Sequence, residues 1–346
     1  MSADEIVLRV ADRDLAITHP EKVFFPAHQE TKLDLVEFYI AIGEPLMRAM
    51  RDRPVLLQRF PNGTTGSSFF QKRIPDSAPE WLTTTTVQTP NGTESRALVI
   101  ADLAHFIWAV NIGCLGFHSW PIRAAQPQFT DELRIDLDPG PGTTFAMARH
   151  AAHETKRLFD EFDMPSWIKT TGNRGLHVYV RLLPAWDSYA VRSAAVAVAR
   201  ELERRRPELV TASWWKEQRG ERIFIDYNQN APHKTVFAPW SVRARDHAPV
   251  SCPFEWEELD RVEPNALTMS VVRERVQTDG DPWAAMDASA CSLDPLLEMV
   301  HRDEQAGLPD APWPPVYPKM AGEESRVAPS RAKKPKAPAP SPDDHD

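Results

Sequence analysis

The clearest pattern in the chain is the alternation across Leu133-Arg134-Ile135-Asp136-Leu137-Asp138-Pro139-Gly140. A period of two predicts a strand with Leu133, Ile135 and Leu137 on one face, Asp136 and Asp138 on the other, and a sharp stop at Pro-Gly. Leu35, Phe38, Tyr39, Ile42 and Leu46 recur at helical spacing and predict a helix over about 31–50. Pro54 to Phe60 reads as a strand, followed by a Gly/Thr/Ser loop over 63–68 and then Phe69-Phe70-Gln71-Lys72. Arg96 to Ile100 predicts a short strand, and Asp102 starts a helix that buries Leu103, Phe106, Ile107 and Val110. Thr143 is the expected N-cap of the next helix, which carries Phe145, Ala148, Ala152, Leu158, Phe159 and Phe162. Strands at 166–170 and 176–182 flank Thr171-Gly172-Asn173-Arg174-Gly175, a helix covers about 188–206, and strands follow at 222–227 and 235–238. Strands and helices intermingle, so the class is α/β or α+β. No internal repeat is visible.

The 346 residues suffice for one large domain or two modest ones, and a 42% hydrophobic content is ample for a core. No run approaches the roughly 18 uncharged apolar residues of a membrane span, and no secretion signal is expected at the amino end. Cys114, Cys252 and Cys291 are far apart and odd in number, which supports neither a disulfide framework nor a CxxC zinc site. A reducing cytoplasm is the expected compartment. The net charge of −9 argues against a protein that coats nucleic acid, yet leaves room for a local grip through clustered Lys and Arg. The end of the chain is rich in Ala, Pro, Ser and Lys from about residue 320 and should not bury a core.

Four constellations carry chemistry. Asp136 and Asp138 share a strand face with Cα atoms about 7 Å apart. Such a pair repels itself unless a cation intervenes; the plainer alternative is a strand end with two solvated acids. Lys169-Thr170-Thr171-Gly172-Asn173-Arg174-Gly175-Leu176-His177 places two glycines in a tight turn, whose N–H groups suit an anion such as a triphosphate; an ordinary hairpin turn is the alternative. Asp226 lies in the apolar strand Ile223-Phe224-Ile225-Asp226-Tyr227, where an acid costs several kcal/mol unless it is paired with an Arg or ligates metal. Ser241-Val242-Arg243-Ala244-Arg245 alternates, putting both arginines on one face for phosphate or on a solvated edge. Among smaller features, His118 within Phe117-His118-Ser119-Trp120 offers an imidazole, and Phe69-Phe70 offers rings for base stacking or core packing.

Taken in order, these motifs resemble the archaeo-eukaryotic primase superfamily, and within it the polymerase domain of bacterial ligase D and its stand-alone relatives. The resemblance spans roughly residues 5–300. Asp136-Leu137-Asp138 matches the family's Asp-x-Asp strand. Thr171-Gly172-Asn173-Arg174-Gly175-Leu176-His177 matches its Ser-Gly-x-x-Gly-x-His, with Thr171 where Ser is usual. Asp226 matches its single acid in a hydrophobic strand. The resemblance implies metal ligation and catalysis by Asp136, Asp138 and Asp226, and triphosphate contacts from Thr171, His177, Arg219 and Arg243. It also implies that His118 lies near the nucleotide sugar, that Phe69 and Phe70 lie near the templating base, and that Lys22 lies in a pocket for a DNA 5′-phosphate.

The implied fold is that of a primase-polymerase: a catalytic sheet resembling an RNA-recognition module, joined around one cleft to an N-terminal α/β lobe. The expected division is a domain over 1–305, with lobes of about 1–131 and 132–305, then an extended, disordered tail over 306–346. The implied reaction is template-directed addition of nucleotides, ribonucleotides by preference, to a primer 3′-OH in DNA gap filling or end joining. Two divalent ions, Mn²⁺ or Mg²⁺, would assist, with NTP or dNTP as substrate. DNA with a gapped or broken end and a 5′-phosphate is the expected partner, with Ku and a DNA ligase as further family partners. The chain is expected to be a cytoplasmic, nucleoid-associated monomer without membrane contact. No ligase lysine motif or nuclease histidine cluster is evident, so the polymerase is expected to stand alone. A metal-dependent nuclease and a non-catalytic nucleic-acid-binding module are the rival readings. The nuclease would shorten DNA without nucleotides, and the module would have no reason to bury three acids.

Overall fold

Glu5–Val10 (β1) and Arg13–Thr18 (β2) pair as an antiparallel hairpin. Its turn places Ala11 and Asp12 at φ of 46° and 63°, the left-handed pair a two-residue hairpin loop demands. The computed structural model describes residues 4–90, 92–323, 326 and 327. A second small hairpin, Val23–Phe25 (β3) with Glu30–Thr31 (β4), leads into Lys32–Ala41 (α1). Thr31 and Asp34 form a capping box at its start. The single helix expected over 31–50 is two helices, because Gly43–Met50 (α2) begins anew after Ile42. Pro45 has no N–H to continue the ladder, and Gly43 lets α2 approach closely, since a Cβ there would lie 2.9 Å from Leu103.

The first large sheet is built from Pro54–Arg59 (β5), Phe69–Gln71 (β6), Thr84–Gln88 (β7), Glu94–Val99 (β8) and, after Leu103–Asn111 (α3), Cys114–Ser119 (β9). The second starts with the acidic strand Glu132–Pro139 (β10). Phe145–Asp160 (α4) follows, capped by Thr144 rather than Thr143, whose hydroxyl instead donates to Gly140 O at 2.7 Å. Ser166–Thr170 (β11), Leu176–Arg181 (β12), Ser188–Arg205 (α5), Val210–Thr211 (β13), Lys216–Arg219 (α6) and Ile223–Ile225 (β14) come next. Val236–Phe237 (β15) returns to the first sheet, and Pro253–Phe254 (β16) joins the second. Met269–Asp279 (α7) and Asp294–Gln305 (α8) complete the elements.

Strand order is β15-β9-β5-β8-β7 in the first sheet, with β6 also on β5, and β13-β14-β10-β12-β11-β16 in the second. The alternation in β10 works as its sequence demands. Leu133, Ile135 and Leu137 are buried beside Leu176, Val178 and Val180 of β12, under Ala148, Ala152 and Phe159 of α4 and Val191, Ala195 and Val198 of α5. The polar face of β10 is left to turn toward the first sheet, where Arg134 donates to Ser119 O at 2.7 Å. One hydrophobic cluster runs through both sheets.

Buried charge also joins the sheets. Arg53, fully buried at the start of β5, donates to Asp131 at 2.7 and 2.9 Å and to Glu132 at 2.6 Å. Arg181 meets both acids at 2.9 and 3.0 Å, and Arg134 pairs with Glu132 at 2.6 Å. The arginines hold Asp131 well below the usual carboxylate range despite its burial.

The tail expected to be extended from residue 306 is packed as far as Glu323. Ala311, Trp313 and Tyr317 are buried. Arg192 donates to Asp310 at 2.9 Å and stacks 3.7 Å from the Trp313 ring, which supplies the apolar anchor that a Pro-rich composition concealed. Glu323 accepts from Trp313 N at 2.8 Å and closes the segment on itself. The remainder of that expectation, beyond residue 327, lies outside the described residues. Among the described residues no helix is long and apolar enough to cross a membrane.

Candidate active site

Register builds the site. Asp136 on β10 stands opposite His177 on β12, and His177 opposite Lys169 on β11. On the other side of β10, Leu137 pairs with Ile225, and the Asp226 N–H donates to Asp136 O at 2.9 Å. The strand expected over 222–227 ends at Ile225, and Asp226 caps the turn that follows; Asp226, Asp136, His177 and Lys169 therefore form one row across β10, β12, β11 and the end of β14. Asp138 sits two residues further along the same face, at the mouth of the turn between β11 and β12.

The row is electrostatically tense. Burial pushes Asp136 up to about 6, opposed by the positive charges of Lys169 and Arg243. Burial and then the Asp136 charge push Asp226 up to about 7. Asp138 is raised by burial and by Asp136, and Arg219, Arg174 and Lys216 pull the other way. The His177 Nε2 is 3.3 Å from Asp136 Oδ1, and burial beside Lys169 and Arg243 pushes its pKa well down, so the ring is neutral. Three carboxylates raised by burial, two of them also by the Asp136 charge, without a thiol among them, fit a hard divalent cation.

The side chains do not yet converge. The Asp226 carboxylate accepts from Asn228 N at 3.1 Å and Gln229 Nε2 at 2.8 Å, inside its own turn. Among the described residues no three His, Cys, Asp or Glu side chains are gathered closely enough to hold an ion. The backbone thus brings the three predicted acids to neighbouring positions, and local donors keep one of them turned aside.

The glycine turn is built for close approach. Gly172 has φ of 68°, and a Cβ there would lie 2.7 Å from Arg243 Cγ. Thr171 Oγ1 accepts from Asn173 N and Gly175 N, both at 3.2 Å, so the hydroxyl shapes the turn and keeps its own proton to donate. Arg243 Nε donates to Thr171 O at 2.9 Å, and its guanidinium lies 3.6 Å from the Phe237 ring. The strand read over 241–245 is a loop that makes one β-bridge, Val242 to Val250, with Arg243 N–H donating to Pro249 O at 2.8 Å; Arg243 is half-buried and Arg245 in solvent. Arg219 donates to Ser213 O at 3.1 Å and Trp214 O at 2.9 Å and lies 3.4 Å over Phe224, beside Asp138 and Asp226 rather than beside the turn.

His118 sits on β9 between Phe70 and Phe237, with ring centroids 5.5 and 5.3 Å away, and its buried Nε2 has no partner among the described residues. Burial, Arg243 and Lys169 push it down to about 3, so it too is neutral. Phe69 and Phe70 are 46% and 58% exposed, which is surface display rather than core packing. Lys22 donates to Pro61 O at 2.6 Å and Asn62 Oδ1 at 2.9 Å.

Lys169 belongs to the glycine-turn motif, and Lys32 is not singled out by the sequence. Lys169 is fully buried, with Nζ on Ser251 Oγ at 2.6 Å. Its place in the row follows from the strand pairing alone, which the motif around it could have signalled. Lys32, at the start of α1, is buried with Nζ donating to Thr18 O and to Asn111 O at 3.0 Å, and burial and the nearby Lys22 ammonium push it down to about 8.

An acidic sheet face thus lies beside a glycine turn and several cationic side chains. The model described as LigD, primase-polymerase domain, matches residues 31–283. The multifunctional non-homologous end joining protein LigD of Mycolicibacterium smegmatis is 32% identical over 313 residues, covering 90% of this chain and 41% of that protein. The bifunctional non-homologous end joining protein LigD of Bacillus subtilis is 31% identical over 271 residues, covering 78% and 43%. The polymerase domain from Mycobacterium tuberculosis ligase D in complex with DNA superposes with a TM-score of 0.75 at 31% identity, over 80% of this chain and 99% of that one. The chain belongs to the LigD primase-polymerase family. It spans about two fifths of the length of these two curated relatives.

Proposed function

We propose that the chain adds nucleotides, ribonucleotides by preference, to a primer 3′-OH under direction of a DNA template, at gaps and broken ends. The observation that carries this reading is the row in which Asp136 stands between Asp226 and His177. A rotation of Asp226 out of its turn would join it to Asp136 and Asp138, and the three would hold Mn²⁺ or Mg²⁺. Bound there, two such ions supply Lewis-acid stabilisation of the attacking and leaving oxygens.

The protein's own groups do the rest. The Gly172 turn, the Thr171 hydroxyl and Arg243 bind the triphosphate, whose charge the acids would otherwise repel. Among the described residues the terminal nitrogens of Arg243 bond nothing else, which leaves a bidentate face for phosphate. His177, set with Nε2 against Asp136 and with its buried Nδ1 unpaired among the described residues, lies beside the same phosphates, and Arg219 offsets charge beside Asp138 and Asp226. His118 provides the polar edge next to the nucleotide sugar, and Phe69 and Phe70 present faces for the templating base. Lys22 and Lys32 hold the 5′-phosphate of the downstream strand.

The setting is cytoplasmic, nucleoid-associated DNA end joining, with Ku and a ligase as partners and the chain acting as a monomer over residues 1–305 with its packed extension. The test is extension of a labelled primer on a gapped duplex with Mn²⁺, with ribo- and deoxynucleotides in separate reactions. Lengthening that requires nucleotides is expected. Shortening without nucleotides would make it a nuclease, and binding without either would make it a docking module.

A further inference from the structure

The loop that carries Arg243 is held from the far lobe at two points. The buried Val242 N–H donates to the Tyr39 hydroxyl at 2.9 Å, 203 positions away along the chain. The tip of the β3–β4 hairpin reaches the same loop, with His28 Nε2 and His247 Nδ1 3.1 Å apart. Both contacts originate in the segment that ends in or starts from Lys32, between the paired cations Lys22 and Lys32 and the middle of α1. Tyr39 is a rigid post. It is fully buried, and its ring lies 4.7 Å from Phe106 and 6.3 Å from Phe117, which are themselves stacked at 3.7 Å.

On the reading of the site given above, we propose that Tyr39 is a positioning residue for Arg243, acting through the Val242 N–H. Through it and the His28–His247 contact, the pocket of Lys22 and Lys32 is coupled to the nucleotide pocket. The loop is fixed from within by Arg243 N–H on Pro249 O at 2.8 Å and Ser251 N–H on Ser241 O at 2.9 Å, and the Tyr39 hydroxyl and His28 additionally tether it to the segment that carries Lys22 and Lys32. An anion drawn onto Lys22 and Lys32 settles the start of α1 and the hairpin, and so narrows the positions open to Arg243.

Tyr39→Phe removes the acceptor and keeps the ring, so the packing survives. The full chain is assayed on a gapped duplex with and without a 5′-phosphate on the downstream strand, and nucleotide KM and kcat are measured separately. The expected result is a nucleotide KM raised about five- to tenfold with kcat within about twofold, and loss of most of the KM difference between the two substrates. His28→Ala, at an exposed tip, should move the same difference in the same direction. With Arg243→Ala, Tyr39→Phe should add nothing further, because both act on one group; a merely structural role would add. If wild-type protein extends the primer and Tyr39→Phe keeps its KM on both substrates, or the two changes are additive, the coupling is overturned. If wild-type protein extends nothing, the functional reading fails instead.

Discussion

The Asp226 N–H donates to the Asp136 carbonyl at 2.9 Å, so one backbone bond sets two half-buried carboxylates side by side, one on β10 and one just past the end of β14. Their pKa values, pushed up to about 7 and about 6 chiefly by burial, have a thermodynamic consequence. A carboxyl whose folded pKa exceeds its unfolded value of 3.8 adds stability below that value and loses it as pH rises through the folded pKa. In chelator, Asp226→Asn should therefore be more stable than the wild type by a margin that grows from about pH 4 to about pH 7, reaches a few kcal/mol, and flattens above. Urea denaturation in EDTA across that range measures the margin; a difference independent of pH would contradict the assignment.

Asp136 is the centre of the row, flanked by a carboxylate on one side and an imidazole on the other. Asp136→Ala removes the group with the most neighbours and relieves repulsion on Asp138 and Asp226. Extension should fall by at least about 10³-fold, as when a principal transition-state electrostatic group is lost. The circular dichroism spectrum and melting should stay native-like. A variant that still extends the primer would remove Asp136 from the chemistry.

The site was readable wherever a short-range period carried it. Leu133, Ile135 and Leu137 alternate with the acids strictly enough to fix both faces of β10, and Gly172 and Gly175 announced a turn. What the chain did not disclose was pairing between distant strands. The β11–β12 hairpin sets Lys169 beside His177 locally, but nothing in the local sequence places that hairpin against Asp136, or Arg53 on Asp131 and Glu132, because those neighbours are set by sheet order. The apparent alternation of Arg243 and Arg245 misled for a related reason: a period of two without a partner strand is a loop. The Pro-rich end misled because composition averages away one anchoring residue, Trp313 on Arg192.

Arg53 is fully buried against two carboxylates, and these contacts join β5 to the start of β10. Removing it leaves Asp131 and Glu132 short of a charge partner in a dry junction, although Arg181 remains. Arg53→Met should cost on the order of 3–5 kcal/mol, the range for breaking a buried ion pair from one side. Chemical denaturation reads this directly. A loss below about 1 kcal/mol would show that the network is solvated in solution.

Lys32 is pushed down from 10.5 to about 8, first by burial and then by Lys22, so it sheds its charge as pH rises through about 8. If the pair holds a downstream 5′-phosphate, the preference for 5′-phosphorylated over 5′-hydroxyl gapped DNA should be large at pH 7 and small at pH 9. Taking the ratio of the two substrates cancels the pH dependence of the chemistry itself. Lys32→Met should give a low ratio at both pH values. A ratio that stays high at pH 9 in the wild type would assign the phosphate to other groups.

Gly172 offers a test of the turn that touches no charged side chain. Its φ of 68° is left-handed, and a Cβ would lie 2.7 Å from Arg243 Cγ and 3.2 Å from Ser251 N. Gly220 has a similar φ of 57° but open space around it, so Gly220→Ala separates backbone strain from collision. Backbone strain acts at both positions, and at Gly220, with ψ of −151°, it is on the order of 1–3 kcal/mol. Only at Gly172 must the arginine also move off Thr171 O, because the Ser251 backbone cannot give way. Gly172→Ala should therefore raise nucleotide KM about tenfold or more and leave the affinity for gapped DNA in the absence of nucleotide unchanged, while Gly220→Ala keeps the wild-type KM. Equal effects at the two glycines would mean that Arg243 is not held against the turn in solution, and that the triphosphate is gripped elsewhere.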